Sequence, residues 1–170
     1  IHLIQRPGYF TAQGADIRAR DVHGWTPLML AARHNPAHGI VGALLRLGAD
    51  PNETNSGNGA TPLIYAAAGN APPGVAKLLL DAGALVDAKD AVGTTALTVA
   101  AGYNPDTEFL RVLLEAGANP NSRNMDGATP LMFAAGSTPN PEALAVVALL
   151  LEAGADPHAR DKDGLTAFLR

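Results

Sequence analysis

Along this chain, apolar residues form short segments with helical spacing, and polar, turn-forming segments separate them. In EFLRVLLEAG the apolar residues Phe109, Val112 and Leu113 lie three and four positions apart, which is the spacing of one face of an α-helix. Segments of the form Leu-x-x-Ala-Ala, such as Leu28 to Ala32, precede them and predict a second, shorter helix. Loops rich in Pro, Gly and Asn separate the two. The pattern therefore predicts pairs of short helices.

The helix pairs repeat with a nearly constant period. The glycine of a G-x-T motif recurs with steps of 35, 34, 34 and 37 residues, and a Gly-Ala pair recurs with steps of 34, 35, 34 and 37. The first set is Gly24, Gly59, Gly93, Gly127 and Gly164, and the second is Gly14, Gly48, Gly83, Gly117 and Gly154. Because two separate markers keep the same register, we interpret the chain as a stack of repeats. Neighbouring units then bury apolar faces that one unit could not bury alone.

Each repeat carries residues that mark helix ends. A Thr-Pro pair begins the first helix in three repeats, since Thr caps free N–H groups and Pro at the first position loses no hydrogen bond. A Gly follows the second helix, where a residue with positive φ ends it. The polar segment after that Gly predicts a hairpin-like arm toward the next repeat. These residues are Thr26, Thr61 and Thr129 with Pro27, Pro62 and Pro130, and Gly48, Gly83, Gly117 and Gly154.

The pattern D-x-x-G-x-T-P-L-x-x-A-A, followed by L-L-x-x-G-A-D-x-N, resembles the ankyrin repeat from about Gly14 to Phe168. The resemblance implies an all-α fold: an ankyrin-repeat solenoid of stacked helix-turn-helix units with projecting β-hairpin-like loops. We expect a single domain over residues 1–170. It divides into a degenerate partial repeat at 1–20, full repeats at 21–55, 56–89, 90–123 and 124–160, and a truncated repeat at 161–170.

The chain departs from the family pattern at several positions. The His that usually follows T-P-L is replaced by Met29, Ile64, Thr98 and Met132. The third repeat has Ala96 where others have Pro. The loop between the helices is longest in the fourth repeat, around residues 137–142.

Composition and charge narrow the function classes. The net charge of −4 and the pI of about 5.6 argue against a nucleic-acid binder, which normally carries a basic surface. The absence of cysteine excludes a disulfide framework and thiolate metal ligands. The longest apolar run has nine residues, short of the ~18 that a transmembrane helix needs. We therefore expect no nucleic-acid partner and no membrane insertion.

No residue pattern predicts a catalytic, cofactor or metal site. Asp21, Asp90 and Asp161 recur once per repeat, with Ser56 and Asn124 in their place elsewhere, which is typical of turn formers rather than of general acids. The serines have no His and acid partners that the sequence can place, and the glycines do not form a phosphate loop. The resemblance likewise implies a non-enzymatic protein.

The histidines and one sequon have ordinary interpretations. His34 and His38 have helical spacing, but Pro36 lies between them, so we interpret them as exposed loop residues rather than metal ligands. Asn52 begins an N-glycosylation sequon, and we interpret that match as chance.

The resemblance implies a protein–protein interaction module whose concave surface is built from hairpin tips and first helices. Residues that differ between repeats are then the candidates for partner contact. They are Val22, His23, Trp25, Arg33, His34, Asn58, Val92, Tyr103, Met125 and Asp126. Trp25, Arg33, His34 and Tyr103 are the expected patch, because Trp, Tyr and Arg are enriched at binding hot spots. Two points stay open: Trp25 could instead cover an adjacent hairpin, and Tyr65 could belong to the core.

The alternative is a structural protein that assembles with itself. Apolar residues occur at both ends of the chain, and head-to-tail stacking of open repeat ends would propagate as a filament. The candidate end-to-end contacts are Ile1, Leu3, Ile4, Leu165, Phe168 and Leu169. A third interpretation is a fragment of a larger enzyme or effector, since the chain begins at Ile1 rather than Met. The sequence does not indicate the partner's identity or the compartment.

Overall fold

The structure is a computed structural model, and it describes residues 16–34, 38–104, 106–136 and 142–169. Within these ranges it contains eight α-helices and no β-strand. They are α1 (Pro27–His34), α2 (His38–Arg46), α3 (Pro62–Ala68), α4 (Pro73–Asp81), α5 (Ala96–Tyr103), α6 (Thr107–Glu115), α7 (Pro130–Gly136) and α8 (Ala143–Glu152). The odd-numbered helices are the first of each pair and the even-numbered helices the second.

The helices form two layers. The first helices α1, α3, α5 and α7 contact one another in chain order, and so do the second helices α2, α4, α6 and α8. Each first helix also packs against its own second helix. This arrangement confirms the all-α solenoid of stacked helix pairs that the sequence predicts.

Both layers bury large apolar side chains, and the first-helix layer buries most of the helical alanines as well. The first-helix layer buries alanines, among them Ala32, Ala67 and Ala100, which are fully inaccessible to solvent. Because these side chains are so small, neighbouring first helices can approach closely. The second-helix layer buries few alanines and is filled mainly by side chains such as Phe109 and Leu113. The core therefore runs unbroken from one repeat to the next.

The predicted helix ends are confirmed. The Thr61 hydroxyl accepts a hydrogen bond from the N–H of Ile64 at 3.4 Å. Thr95 caps α5 in the same way, although Ala96 follows it instead of Pro, so the cap does not depend on the proline. At the other end, the glycines that follow the second helices have φ between 88° and 92°, a region that other residues rarely adopt.

The arms between repeats are tight turns closed by an Asp or Asn side chain. One side-chain oxygen accepts hydrogen bonds from two backbone N–H groups in the arms of Asp21, Asp90, Asn124 and Asp161. This geometry supports their interpretation as turn formers. In each of these arms a backbone hydrogen bond also joins residues four apart, as from Asp21 N–H to the Trp25 carbonyl at 3.0 Å.

The second arm is one residue longer than the others. The sequence interpretation that placed Ser56 at the turn-forming position of Asp21 was therefore wrong. The N–H of Asn55 donates to the carbonyl of Ala60, five residues on. The Asn55 side chain accepts from the N–H groups of Gly57 and Asn58. Asn55 therefore holds the place of Asp21, and the arm has one additional residue between Asn55 and Asn58. This extra residue explains the 35-residue step between the first two G-x-T motifs.

Gly69, directly after α3, lies against the end of α1. A Cβ atom at this position would lie 2.8 Å from the carbonyl carbon of Arg33 and closer still to its oxygen. Gly69 has φ −89°, which any residue can adopt. The absence of a side chain at Gly69 therefore allows the end of α3 to approach the α1 backbone at Arg33.

We predict that Gly69→Ala destabilises the chain by about 1–3 kcal/mol, because the new methyl group forces the Arg33 backbone away. Gly39→Ala is the matched control, since a Cβ atom there meets nothing within 4 Å. In α2 we expect it to be neutral or to stabilise by up to about 1 kcal/mol. Urea unfolding followed by circular dichroism measures both variants. Equal stability of the two would contradict the close approach.

Candidate binding surface

Three of the residues predicted from the sequence meet at one place, together with Tyr65. The ring centroids of Trp25 and Tyr65 lie 4.0 Å apart with the planes inclined by 31°. The Cζ atom of Arg33 lies 5.5 Å from the Trp25 ring centroid and 5.9 Å from that of Tyr65. The His34 ring lies 6.3 Å from Trp25. We call Trp25, Arg33, His34 and Tyr65 the aromatic cluster.

The first arm positions Trp25 for these contacts. Asp21 accepts hydrogen bonds from the N–H groups of His23 and Trp25, each at 2.9 Å. The bond from Trp25 is the main reason that the pKa of Asp21 lies below its ordinary value. Desolvation acts in the opposite direction, and the N–H and the charge of His23 lower the pKa further. The turn thus ends with Trp25 directly before Thr26, whose hydroxyl accepts from the Met29 N–H at 3.3 Å.

Tyr65 is a core residue that forms the base of the cluster. Its side chain is only 3% exposed. Its hydroxyl donates to Oδ1 of Asn58 at 3.0 Å, and the same oxygen accepts from the N–H of Ala60 at 3.1 Å. Trp25 of one repeat therefore covers Tyr65 of the next, while its own ring stays partly exposed. Trp25 thus has a structural contact, but with Tyr65 on α3 rather than with the adjacent hairpin that the sequence left open.

The hairpin tips form a second part of the same surface. Val22, Val92 and Met125 are exposed at the tips of the first, third and fourth arms, and we call these three residues the tip row. Backbone hydrogen bonds link successive arms, from the Ala91 N–H to the Asn58 carbonyl at 2.8 Å and from the Met125 N–H to the Val92 carbonyl at 2.9 Å. A further bond joins the arms of Asp126 and Lys162. His23, Asn58 and Asp126 are also exposed at the tips.

The first two arms are linked differently from the others. The Nδ2 amide of Asn55 donates to the His23 carbonyl at 3.0 Å. Asn55 is itself buried. The Asn55 side chain therefore supplies the link between arms that a backbone N–H supplies at the later junctions, because the additional residue changes the register of this arm. Sequence spacing alone did not identify Asn55, although the 35-residue step was a signal of an extra residue in this arm.

Tyr103 lies apart from the aromatic cluster. It ends α5, is 66% exposed, and makes no ring contact within the described residues. In the third repeat it holds the position that His34 holds in the first. The structure therefore does not bring Tyr103 into the patch with Trp25, Arg33 and His34. Leu30, which the sequence analysis missed, is 42% exposed one helical turn before Arg33 and His34.

Several basic side chains near the arms are used to join repeats. Arg20 donates to the Thr54 carbonyl at 2.8 Å and pairs with Glu53. Lys89 donates to the Arg123 carbonyl at 3.0 Å, and Arg123 donates in turn to the Arg160 carbonyl. Arg20, Lys89 and Arg123 occupy the same position in their repeats, and each side chain donates to a carbonyl of the next repeat. Their hydrogen bonds explain their positions without a partner.

Asn52, which begins the sequon, also joins two repeats. Its amide donates to the Gly83 carbonyl at 2.9 Å, and its Oδ1 accepts from the Leu85 N–H at 2.8 Å. Asn121 makes the corresponding bonds two repeats later, to Gly154 and Asp156. The repetition of this geometry gives the Asn52 side chain a structural role.

The described ranges contain no group of three or more His, Cys, Asp or Glu side chains arranged to hold a metal ion. Among the same residues, no helix is long and apolar enough to span a membrane.

Leu165, Phe168 and Leu169 are exposed after the last arm. Ile1, Leu3 and Ile4 lie outside the described residues.

We predict that Asn55→Asp destabilises the chain by about 1–3 kcal/mol, because it removes the donor to His23 and leaves a buried carboxylate facing a carbonyl. Asn124→Asp is the matched control. It keeps the acceptor oxygen, and Asp already fills this role at residues 21, 90 and 161. We expect its effect to stay within about 0.5 kcal/mol. Urea unfolding of both variants measures the difference, and equal losses would show that the Asn55–His23 bond contributes nothing.

Comparison with known proteins adds one finding. A family model described as ankyrin repeats (3 copies) matches residues 7–90 and again residues 73–161. Together the two matches span most of the chain. A search of the curated proteins returned no match.

Proposed function

The chain belongs to the ankyrin-repeat family, whose members are general protein–protein interaction modules and typically non-enzymatic. On that premise we propose that it binds a partner protein through the surface formed by the aromatic cluster and the tip row. Binding rests on complementary shape and on a few aromatic and cationic contacts, with no bond made or broken. The repeated framework carries the fold, and the residues that vary between repeats carry recognition.

The aromatic cluster is the observation that carries this proposal. Trp25 and Arg33 are both partly exposed and are held against Tyr65 by ring contacts. Trp, Tyr and Arg are the residue types that most often supply binding energy at protein interfaces. Because contacts within the cluster already order these side chains, binding costs less conformational entropy. Val22 lies in the same arm as Trp25, and the tip row that it begins adds exposed apolar area along the arms. A partner that covers both would remove apolar surface from water.

We predict that peptides selected from a random display library on the immobilised chain bind at this surface. Val22→Asp should weaken their binding at least about tenfold, because it places a charge at the tip beside the cluster. Val22 is 94% exposed, so this change should not affect folding. Fluorescence polarisation with the labelled peptides measures the affinities.

Leu144→Asp is the matched control for this substitution. Leu144 is 87% exposed on the second helix α8, so the change introduces the same charge on the other layer. We expect unchanged affinity. Peptides that lose binding with Leu144→Asp and keep it with Val22→Asp would overturn the proposal, and so would the failure to select any peptide.

Self-association is the second candidate, and the exposed apolar residues after the last arm favour it. Leu165, Phe168 and Leu169 present apolar side chains to solvent. If these residues stack on another copy, the average mass from light scattering after size exclusion should rise with concentration. The double substitution Phe168→Asp and Leu169→Asp should then abolish the rise. A monomer mass at every concentration rules this candidate out.

A further inference from the structure

The N–H donors of the Arg33 guanidinium are unused within the described residues. Arginine has five N–H donors in a planar fork, and among the described residues the Arg33 side chain makes no hydrogen bond and no ion pair. Its contacts are with the faces of Trp25 and Tyr65. Two rings thus hold the cation in place without using its donors.

The arginines of the arms differ from Arg33, because their guanidinium donors are used in hydrogen bonds. Arg20, Arg123 and Arg160 each donate to at least one backbone carbonyl. Arg111, on the second-helix layer, lies 3.4 Å from the carboxylate of Glu108. Arg33 lies in the last turn of α1, where the helix dipole stabilises a cation. The dipole therefore stabilises its charge without an acidic side chain as partner.

The side chains near Arg33 are imidazole, aromatic or apolar groups. His34 is exposed beside it, and Leu30 lies one helical turn before both, on the same helix face. His23 is exposed at the tip of the first arm. Asp21 is the acidic residue of that arm, and its carboxylate is held by the arm's own N–H groups. Arg33 therefore supplies a positively charged hydrogen-bond donor to this part of a chain whose net charge is −4.

We propose that Arg33 is the anchor for a carboxylate of the partner protein, and that the contacting segment carries an Asp or Glu next to an apolar residue. The carboxylate accepts two parallel hydrogen bonds from the guanidinium, a geometry that arginine provides and lysine does not. The adjacent apolar side chain covers Leu30 and the exposed edge of Trp25. This inference rests on the proposed function and specifies the chemistry of its partner.

The test uses the peptides selected on the intact chain and a double-mutant cycle. We expect the selected peptides to be enriched in Asp or Glu beside apolar residues. Replacing that Glu by Gln in the peptide should weaken binding to the unmodified chain roughly 10- to 100-fold, because a charge-assisted hydrogen bond is lost. On the Arg33→Gln variant the same peptide change should have less than about a threefold effect, since the partner group is already absent.

Two further variants complete the test. Arg33→Lys keeps the charge but loses the fork, and we expect it to recover only a part of the affinity lost in Arg33→Gln. Arg111→Gln removes a comparable exposed arginine from the other layer, and it should leave the affinity unchanged. Circular dichroism verifies that each variant is folded.

The outcomes separate this inference from the proposed function. Peptides that depend on Val22 but carry no acidic residue, or whose Glu→Gln change has the same effect on both chains, would overturn the role of Arg33 and leave the binding surface intact. Peptides that bind independently of both Val22 and Arg33, or a library that yields no binder, would overturn both. Coupling between the peptide carboxylate and Arg33 supports both.

Discussion

Close approach between neighbouring first helices is the constraint on which the rest of this structure depends. Fully buried alanines such as Ala67 and Ala100 leave room for the next helix, and Gly69 lets the chain after α3 touch the backbone of Arg33. Larger side chains here would separate the repeats. The hydrogen bonds between successive arms could then no longer form, because they require the tips to lie at a fixed spacing. Packing in the core thus determines the geometry of the exposed tips.

The proposed binding surface depends on that packing. Trp25 belongs to one repeat and Tyr65 to the next, so their ring contact exists only when the two repeats are stacked. Arg33 is held by both rings. The residues that recur in every repeat are therefore used for folding, whereas Trp25 and Arg33 occur once at their positions and are the residues that we propose for recognition.

Sequence alone predicted the repetitive part of the structure well. The periodic glycines and the Thr caps follow from local backbone chemistry, so the helix pairs and their ends could be derived without tertiary information. Asn55 could not, because one extra residue in a turn shifts the register without changing the composition. Tyr65 was ambiguous because its burial depends on Trp25 from another repeat. The separation of Tyr103 from the cluster likewise depends on distance along the stack rather than on residue type.

Hydrogen–deuterium exchange of the chain with and without a selected peptide tests the central claim most directly, because it reports the location of binding without any substitution. The account predicts slower exchange in the first arm and α1, over residues 21–34, and in the second arm and α3, with no change in α4 and α6. Slower exchange confined to α4 and α6 would contradict it, since the partner would then lie on the second-helix layer.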